Sequence, residues 1–317
     1  MTTIRTGVVG VGHLGYHHAR HYAALPEAEL VGVVDPDETK RTRAAEDFTV
    51  PGFSEVACLI EAGVQAVSVA TPTFTHPDVV LRLLQAGVHV LVEKPIAPTV
   101  HEARTMADVA RAHACILQVG HIERFNGAVM ALVDALERPR FIECHRLSTY
   151  PMRGTDVSVV LDLMIHDLDI VLALDGTEVT HVDASGVAVF SAQEDIANAR
   201  LRFASGCVAN ITSSRISMEP MRKLRIFSEN AYLSTDYNDQ EVYVYRKEPG
   251  PVPAGTNPME RIRVEPLPVA RGESLQRELT AFIACVRTGE RPLVAAEDAI
   301  RALELAERIA ACMQRGT

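Results

Sequence analysis

An α/β fold in two parts follows from three features of this 317-residue chain. Residues 1–120 alternate short Val- and Ile-rich runs with longer stretches of helical spacing. After His121 the texture changes, and β-rich runs follow one another without helices between them. The length itself exceeds one ordinary domain and suits two. The expected division is 1–120 and 121–317, with the last helices able to pack back on the first part.

The early runs are 4–9, 30–34, 66–69, 88–92 and 116–119. They are predominantly apolar rather than strictly alternating, which marks strands buried on both faces. Segments 76–86 and 99–112 carry helical spacing between them. Strands joined through helices make βαβ units and a parallel sheet. In the second part 141–149 reads as a strand and 156–174 as a long helix, apolar on nearly every face and therefore buried. The runs 182–190, 196–203, 208–216, 223–227, 241–245 and 262–264 then succeed one another. Strands in succession predict an α+β domain with a large open, mainly antiparallel sheet. Segment 249–258 is rich in Pro and Gly and reads as a loop. Segments 274–287 and 295–313 read as amphipathic helices.

Composition excludes several classes. Hydrophobic residues at 47% and charged residues at 23% rule out intrinsic disorder. With 31 basic and 41 acidic residues the net charge is −10, so the chain repels phosphate backbones and nucleic acid is not an expected partner. Cys58, Cys115, Cys144, Cys207, Cys285 and Cys312 are scattered, with neither a disulfide framework nor metal-ligand spacing. No apolar run reaches the ~18 residues that span a bilayer. The N-terminus lacks the long apolar stretch of a signal peptide. The expectation is a cytoplasmic protein with no metal and no membrane contact.

The first strand leads into Gly10-Val11-Gly12-His13-Leu14-Gly15 at the start of a helix. In G-x-G-x-x-G the first glycine makes the tight turn and the second lets backbone approach a pyrophosphate. The third lets helix and strand pack closely. The helix N-terminus supplies N–H groups and partial positive charge for the anion. Asp35 follows Gly15 by twenty residues at the end of the second strand, where a carboxylate accepts from an adenosine ribose. Together these predict an N-terminal Rossmann dinucleotide-binding domain. A carboxylate there repels a 2′-phosphate, so NAD is favoured over NADP, although Lys40 and Arg41 lie nearby. Ligands of such sheets bind outside the carboxyl ends of the strands. Thr71-Pro72-Thr73 with His76, and Glu93-Lys94-Pro95, are therefore expected on the nicotinamide side. Thr71 and Thr73 read equally well as helix caps.

The long apolar helix has one polar stripe, Asp162, His166 and Asp169, at i, i+4 and i+7. Buried charges need partners or a task. The bland reading is an Asp–His–Asp network that satisfies itself. The functional one is alcohol oxidation, with the hydride going to the nicotinamide. His166 then takes the hydroxyl proton as general base. Lys94 stabilises alkoxide character or is itself the base.

The Gly-rich start, Glu93-Lys94-Pro95 and Asp162-Leu163-Met164-Ile165-His166-Asp167 together resemble the Gfo/Idh/MocA oxidoreductase family over essentially the whole chain. The resemblance implies that Lys94, Asp162 and His166 surround the sugar carbon facing the nicotinamide. Val119-Gly120-His121-Ile122-Glu123-Arg124-Phe125-Asn126 and Arg153-Gly154-Thr155-Asp156-Val157 are similar to members acting on nucleotide-activated amino sugars. That similarity implies a UDP-sugar substrate and oxidation of the 3-hydroxyl of UDP-N-acetylglucosamine to the 3-keto sugar. It also implies a place in lipid A precursor synthesis, with a partner aminotransferase consuming the product. Gly127 departs from the pattern, which has proline after R-F-N. For the diphosphate the candidates are Arg124 and Arg153, then Arg215, Arg222 and Lys223; for sugar or base, Tyr150 and Asn126. Strands apolar on both sides, as at 208–211, and the resemblance both imply a homodimer or homotetramer. His17, His18 and His21 read as helix-surface residues. Alternatives are a dehydrogenase of another nucleotide sugar, a free sugar or inositol, or an NAD-binding regulatory protein without turnover.

Overall fold

The computed structural model describes residues 3–150, 157–248, 250, 255 and 257–315. It divides into two compact units, Met1–Phe125 with Glu273–Arg301, and Asn126–Gly272 with Ala302–Thr317. In chain order the first builds β1 (Ile4–Val9), α1 (His13–Ala24), β2 (Ala28–Val34), α2 (Glu38–Phe48), β3 (Gly52–Phe53) and α3 (Val56–Glu61). It continues with β4 (Ala66–Val69), α4 (His76–Gln85), β5 (His89–Glu93), α5 (Val100–Ala112) and β6 (Leu117–Gly120). The second unit carries α6 (Gly127–Ala135), β7 (Phe141–Leu147), α7 (Ile165–Asp175), β8 (Val179–Val187), β9 (Ile196–Phe203) and β10 (Val208–Ser214). It closes with β11 (Met221–Phe227), β12 (Ala231–Asp236), β13 (Glu241–Lys247) and β14 (Ile262–Pro266). Helix α8 (Ser274–Thr288) belongs to the first unit, and the division falls inside α9 (Ala296–Arg315).

The first unit is a six-stranded parallel sheet in the order β3-β2-β1-β4-β5-β6. Strand β4, Ala-Val-Ser-Val, is buried at every residue, with the Ser68 hydroxyl 2.8 Å from that of Tyr22. Val8, Ala19, Tyr22, Leu30 and Val33 pack with Leu279, Phe282 and Ile283 of α8 in one core. Local chemistry starts the helices. Asp37 accepts the N–H groups of Thr39 and Lys40 at 3.0 and 3.2 Å, and the Thr99 hydroxyl accepts that of Glu102 at 3.3 Å. The strand order reverses between β1 and β4, and such switch points open a crevice at the strands' carboxyl ends.

The second unit is an eight-stranded sheet in the order β14-β13-β12-β11-β7-β10-β9-β8, antiparallel except for the β7–β10 pair. Burial alternates along β7 and β9, so one face meets α6, α7 and the end of α9 in a single core. The open face carries an aromatic stripe of Phe141, Phe227, Tyr232 and Tyr245, with centroids 6.0, 4.7 and 4.8 Å apart in turn. Strand β10 places Val208 on that face, paired with Phe141 of the stripe, alongside the polar Asn210 and Thr212.

Three elements differ from expectation. β12 was not expected, because Ala-Tyr-Leu-Ser-Thr-Asp is short and half polar; pairing with β11 and β13 on both sides makes it a strand. β8 ends at Val187, which leaves Val189 and Phe190 in the following loop. The long helix opens with a π-helical turn over Val160–Met164 before α7 continues it. Such turns recur at functional sites.

Candidate active site

At the end of β1 the glycine spacing answers to space. Gly10 has φ +85°, and a Cβ there would stand 2.8 Å from the Ala70 carbonyl oxygen. A Cβ on Gly15 would stand 1.7 Å from the Gly10 carbonyl oxygen, so α1 sits directly against the turn. A Cβ on Gly12 would meet nothing within 4 Å. Gly12 is the N-cap of α1, and the ground above it is open to an anion. The Asp35 carboxylate accepts the N–H of Val11 and of Asp37, both at 2.9 Å, which fixes the turn. A carboxylate has about four lone-pair sites, so acceptors remain for ribose hydroxyls.

A cavity of about 460 Å³ is lined by Val11, Gly12, His13, Tyr16, His17, Lys40 and Arg43. His13, Tyr16 and His17 share one helix face by their spacing, the signal that could have found the last two. Leu14 is exposed and does not line it. Lys40 is held by Asp37 at 3.2 Å, and Arg41 donates to the Asp35 backbone carbonyl at 2.8 Å. Both cations are thus engaged beside Asp35. The open Gly12, the helix terminus and Asp35 fit a dinucleotide.

At the ends of β4 and β5 the remaining cofactor candidates form a braced loop pair. The Thr71 hydroxyl oxygen accepts from Thr75 at 2.7 Å. Thr73 opens a short turn after Pro72, and α4 starts without a side-chain cap, so neither threonine caps it. His76 is buried, with ring nitrogens 2.9 Å from the Thr71 carbonyl oxygen and 3.0 Å from that of Pro95. Burial keeps its pKa low against those two bonds. His76 thereby ties the Thr71 turn to the Glu93-Lys94-Pro95 turn.

Glu93 lies 3.0 Å from Nε2 of His18. Burial opposes its charge, but His18 and Lys94 outweigh that and hold its carboxyl below the usual range. Lys94 is half-buried at the end of β5. The expectation of surface histidines on α1 is corrected here. His18 is fully buried and His21 nearly so, the latter 2.9 Å from Glu273. Glu278 of α8 is a residue that sequence reasoning missed. It is fully buried, and burial, then the charge of Glu93, push its carboxyl well above the usual range.

In the second unit Asp162 lies in the π-turn and His166 in the first turn of α7, both half-buried, and Asp169 is buried. The neighbouring Asp167, unflagged by the sequence, binds Arg146 of β7 through two bonds of 2.9 and 3.0 Å. That buried pair clamps α7 to the sheet. Asn126 caps α6, accepting from Ala128 at 3.0 Å and donating to the Tyr237 carbonyl at 3.1 Å, which is a structural use. Gly127 is explained by space, since a Cβ there would stand 2.3 Å from the Ala270 carbonyl oxygen. Arg124 is half-buried in the turn Ile122–Phe125. Tyr150 is exposed, in edge contact with Phe190 at 5.6 Å. Arg153 lies outside the described residues. Arg215 is corrected as a diphosphate candidate. Its guanidinium is fully buried and bonded to Asp195 at 2.8 Å. Lys223 faces Asp236 at 3.9 Å.

Among the described residues, no group of three His, Cys, Asp or Glu is placed to hold a metal, and no helix is long and apolar enough to cross a membrane. Residues 4–121 match the family model described as "Oxidoreductase family, NAD-binding Rossmann fold". Residues 149–317 match "Oxidoreductase family, C-terminal alpha/beta domain". The chain is 37% identical over 294 residues to the UDP-N-acetylglucosamine 3-dehydrogenase of Acidithiobacillus ferrooxidans, covering 92% of this chain and 91% of that protein. A solved structure of that enzyme superposes with a TM-score of 0.92 at 34% identity over 99% of both chains. The scyllo-inositol 2-dehydrogenase (NAD(+)) of Bacillus subtilis is 28% identical over 95% of this chain and 92% of its own. The chain belongs to the Gfo/Idh/MocA oxidoreductase family and is an NAD-binding oxidoreductase.

Proposed function

We propose that this enzyme oxidises the 3-hydroxyl of UDP-N-acetylglucosamine to the 3-keto sugar, using NAD. The observation that carries the reading is the 37% identity over 92% of the chain to an enzyme of that name. Bound NAD supplies the hydride acceptor. The protein's part is the proton and the orientation. Nδ1 of His166 is buried while the side chain as a whole is half-buried, so Nε2 is the nitrogen assigned to take the hydroxyl proton. Lys94 hydrogen-bonds the same oxygen and steadies the alkoxide as it forms. Asp162, on the same helical face as His166, orients the imidazole or holds a neighbouring hydroxyl. Thr71, Pro72, Thr73 and Glu93 shape the nicotinamide side. Arg124 and Arg153 serve the diphosphate, and Tyr150 the sugar or base.

The reading extends to context. The first unit is the NAD-binding domain and the second the substrate and oligomerisation domain. The product supplies an aminotransferase in lipid A precursor synthesis, in the cytoplasm. The aromatic stripe on the open sheet face supports a homodimer or homotetramer. The test is a panel of UDP-sugars, free sugars and inositols with NAD, followed at the nicotinamide absorbance. Product position is then assigned by coupling to a 3-aminotransferase. Turnover of inositol but not of UDP-sugars would overturn the reading.

A further inference from the structure

We infer that Phe190, paired with Tyr150, is the platform on which the uracil ring of the nucleotide sugar stacks. This deepens the UDP-sugar reading and rests on it. Phe190 is 70% exposed and Tyr150 40%, with ring planes 79° apart and centroids at 5.6 Å. A single exposed ring needs no explanation, but two aromatic rings in mutual contact at the surface form a contiguous apolar patch of the kind that marks ligand-binding surfaces.

The loop that presents Phe190 is rigid. The buried Asp195 carboxylate accepts the N–H groups of Val189, Phe190 and Ser191 at 2.8, 2.6 and 3.0 Å. It also accepts from the Ser191 hydroxyl at 2.7 Å and from Arg215 at 2.8 Å. The backbone of Phe190 is thus fixed from beneath, and a ring held in place loses little freedom when a ligand stacks on it.

The same ion pair connects the platform to the reacting helix. Arg215 donates to the Val157 carbonyl at 2.8 Å, and the N–H of Val159 donates to the Glu194 carbonyl at 3.0 Å. Val159 directly precedes the π-turn that carries Asp162. At 1.5 Å per residue, Asp162 follows Val159 by only about 4–5 Å of helical rise. The N–H of Ser148, two residues before Tyr150, donates to the Ser214 carbonyl at 2.8 Å, beside Arg215. One knot of hydrogen bonds therefore fixes the Phe190 backbone, the strand end at Ser148 that leads to Tyr150, and the start of the sugar-facing helix. A planar base at one end and a sugar at the other suit that arrangement.

The experiment measures UDP binding by calorimetry and UDP-N-acetylglucosamine kinetics for the wild type, Phe190→Ala and Phe190→Trp. Stacking on one aromatic ring predicts that Phe190→Ala weakens UDP and raises KM about tenfold or more. Phe190→Trp should retain near wild-type values. NAD affinity and melting temperature should not change, because Phe190 is exposed. Equal UDP affinity in the wild type and Phe190→Ala overturns this inference and leaves the substrate reading standing. A wild type that neither binds UDP nor oxidises any UDP-sugar overturns both. A Phe190→Ala protein that changes oligomeric mass in light scattering while keeping its UDP affinity overturns the inference in favour of a subunit contact.

Discussion

Two of the three glycines in the dinucleotide turn separate folding from binding, and each can be tested by one methyl group. In Gly15→Ala the new Cβ starts 1.7 Å from the Gly10 carbonyl oxygen, where ordinary contact begins at 3.4 Å. The backbone of α1 must therefore move away from the β1 turn, since neither atom belongs to a flexible side chain. Overpacking of this kind costs about 1–3 kcal/mol, and a clash between two backbone segments belongs at the upper end. At roughly 2–4 °C per kcal/mol, the melting temperature should fall by about 6–12 °C. In Gly12→Ala the Cβ meets nothing, and φ is −65°. The cost is that of alanine at an N-cap, about 1 kcal/mol or less. The methyl group nevertheless stands where the pyrophosphate must approach the helix N–H groups, so NAD affinity should fall at least tenfold, about 1.4 kcal/mol. Differential scanning fluorimetry without NAD and calorimetry with NAD read the two effects. A Gly12→Ala protein that binds NAD like the wild type would refute the placement of the pyrophosphate. A Gly15→Ala protein that melts like the wild type would refute the packing of α1.

Three other outcomes are expected. Replacing Lys94 by Ala or His166 by Asn should lower kcat by a factor of at least ~10² while NAD affinity and melting temperature hold; stopped-flow turnover beside NAD titration checks this. For Asp195, burial works against its charge, but the N–H groups of Phe190 and Ser191, then Arg215 and the Ser191 hydroxyl, hold the carboxyl well below the usual range. A depressed folded pKa gives stability that is present above the unfolded value and lost as pH falls, so the wild type should weaken in acid from about pH 4 downward. Asp195→Asn should lose about 3–5 kcal/mol at neutral pH and show a flatter acid profile in urea melts. Glu278 has the opposite sign. Its raised folded pKa gives stability that is whole below the unfolded value near 4.5 and lost as pH rises above it. Glu278→Gln should therefore gain on the wild type as pH climbs from 5 to 9, and melting curves that stay parallel across that range would contradict a neutral buried acid.

Much of this architecture was legible because its signals are local. Apolar strands alternating with helices predict a buried parallel sheet, and the strand–glycine–helix register predicts the dinucleotide turn before any coordinates. The polar stripe Asp162–His166 in an apolar helix was legible for the same reason. What escaped was set by distant partners. β12 has no local signature, because its Ser and Asp residues become strand only between β11 and β13. Arg215 looked like a diphosphate ligand because nothing near it in sequence shows Asp195, twenty residues away and fully buried against it.

A finer use of periodicity would have recovered part of that. In β7 the buried positions are Ile142, Cys144 and Arg146, a strict period of two, so an arginine stands on the core face. Such a residue demands an acid across the core, and Asp167 is that acid. In α8, Glu278 shares the buried face of Leu279 and Phe282, which already announces a carboxyl that must hold a proton or find a cation. His18 stands beside Ala19 and one turn before Tyr22 on the buried face of α1, and Glu93 is its partner. In each case a polar residue falls in phase with the core. The phase separates charges that brace the fold from charges left for chemistry. Asp167 is spent on Arg146, whereas Asp162 and His166, half-buried on the same helix, are the groups proposed to meet substrate.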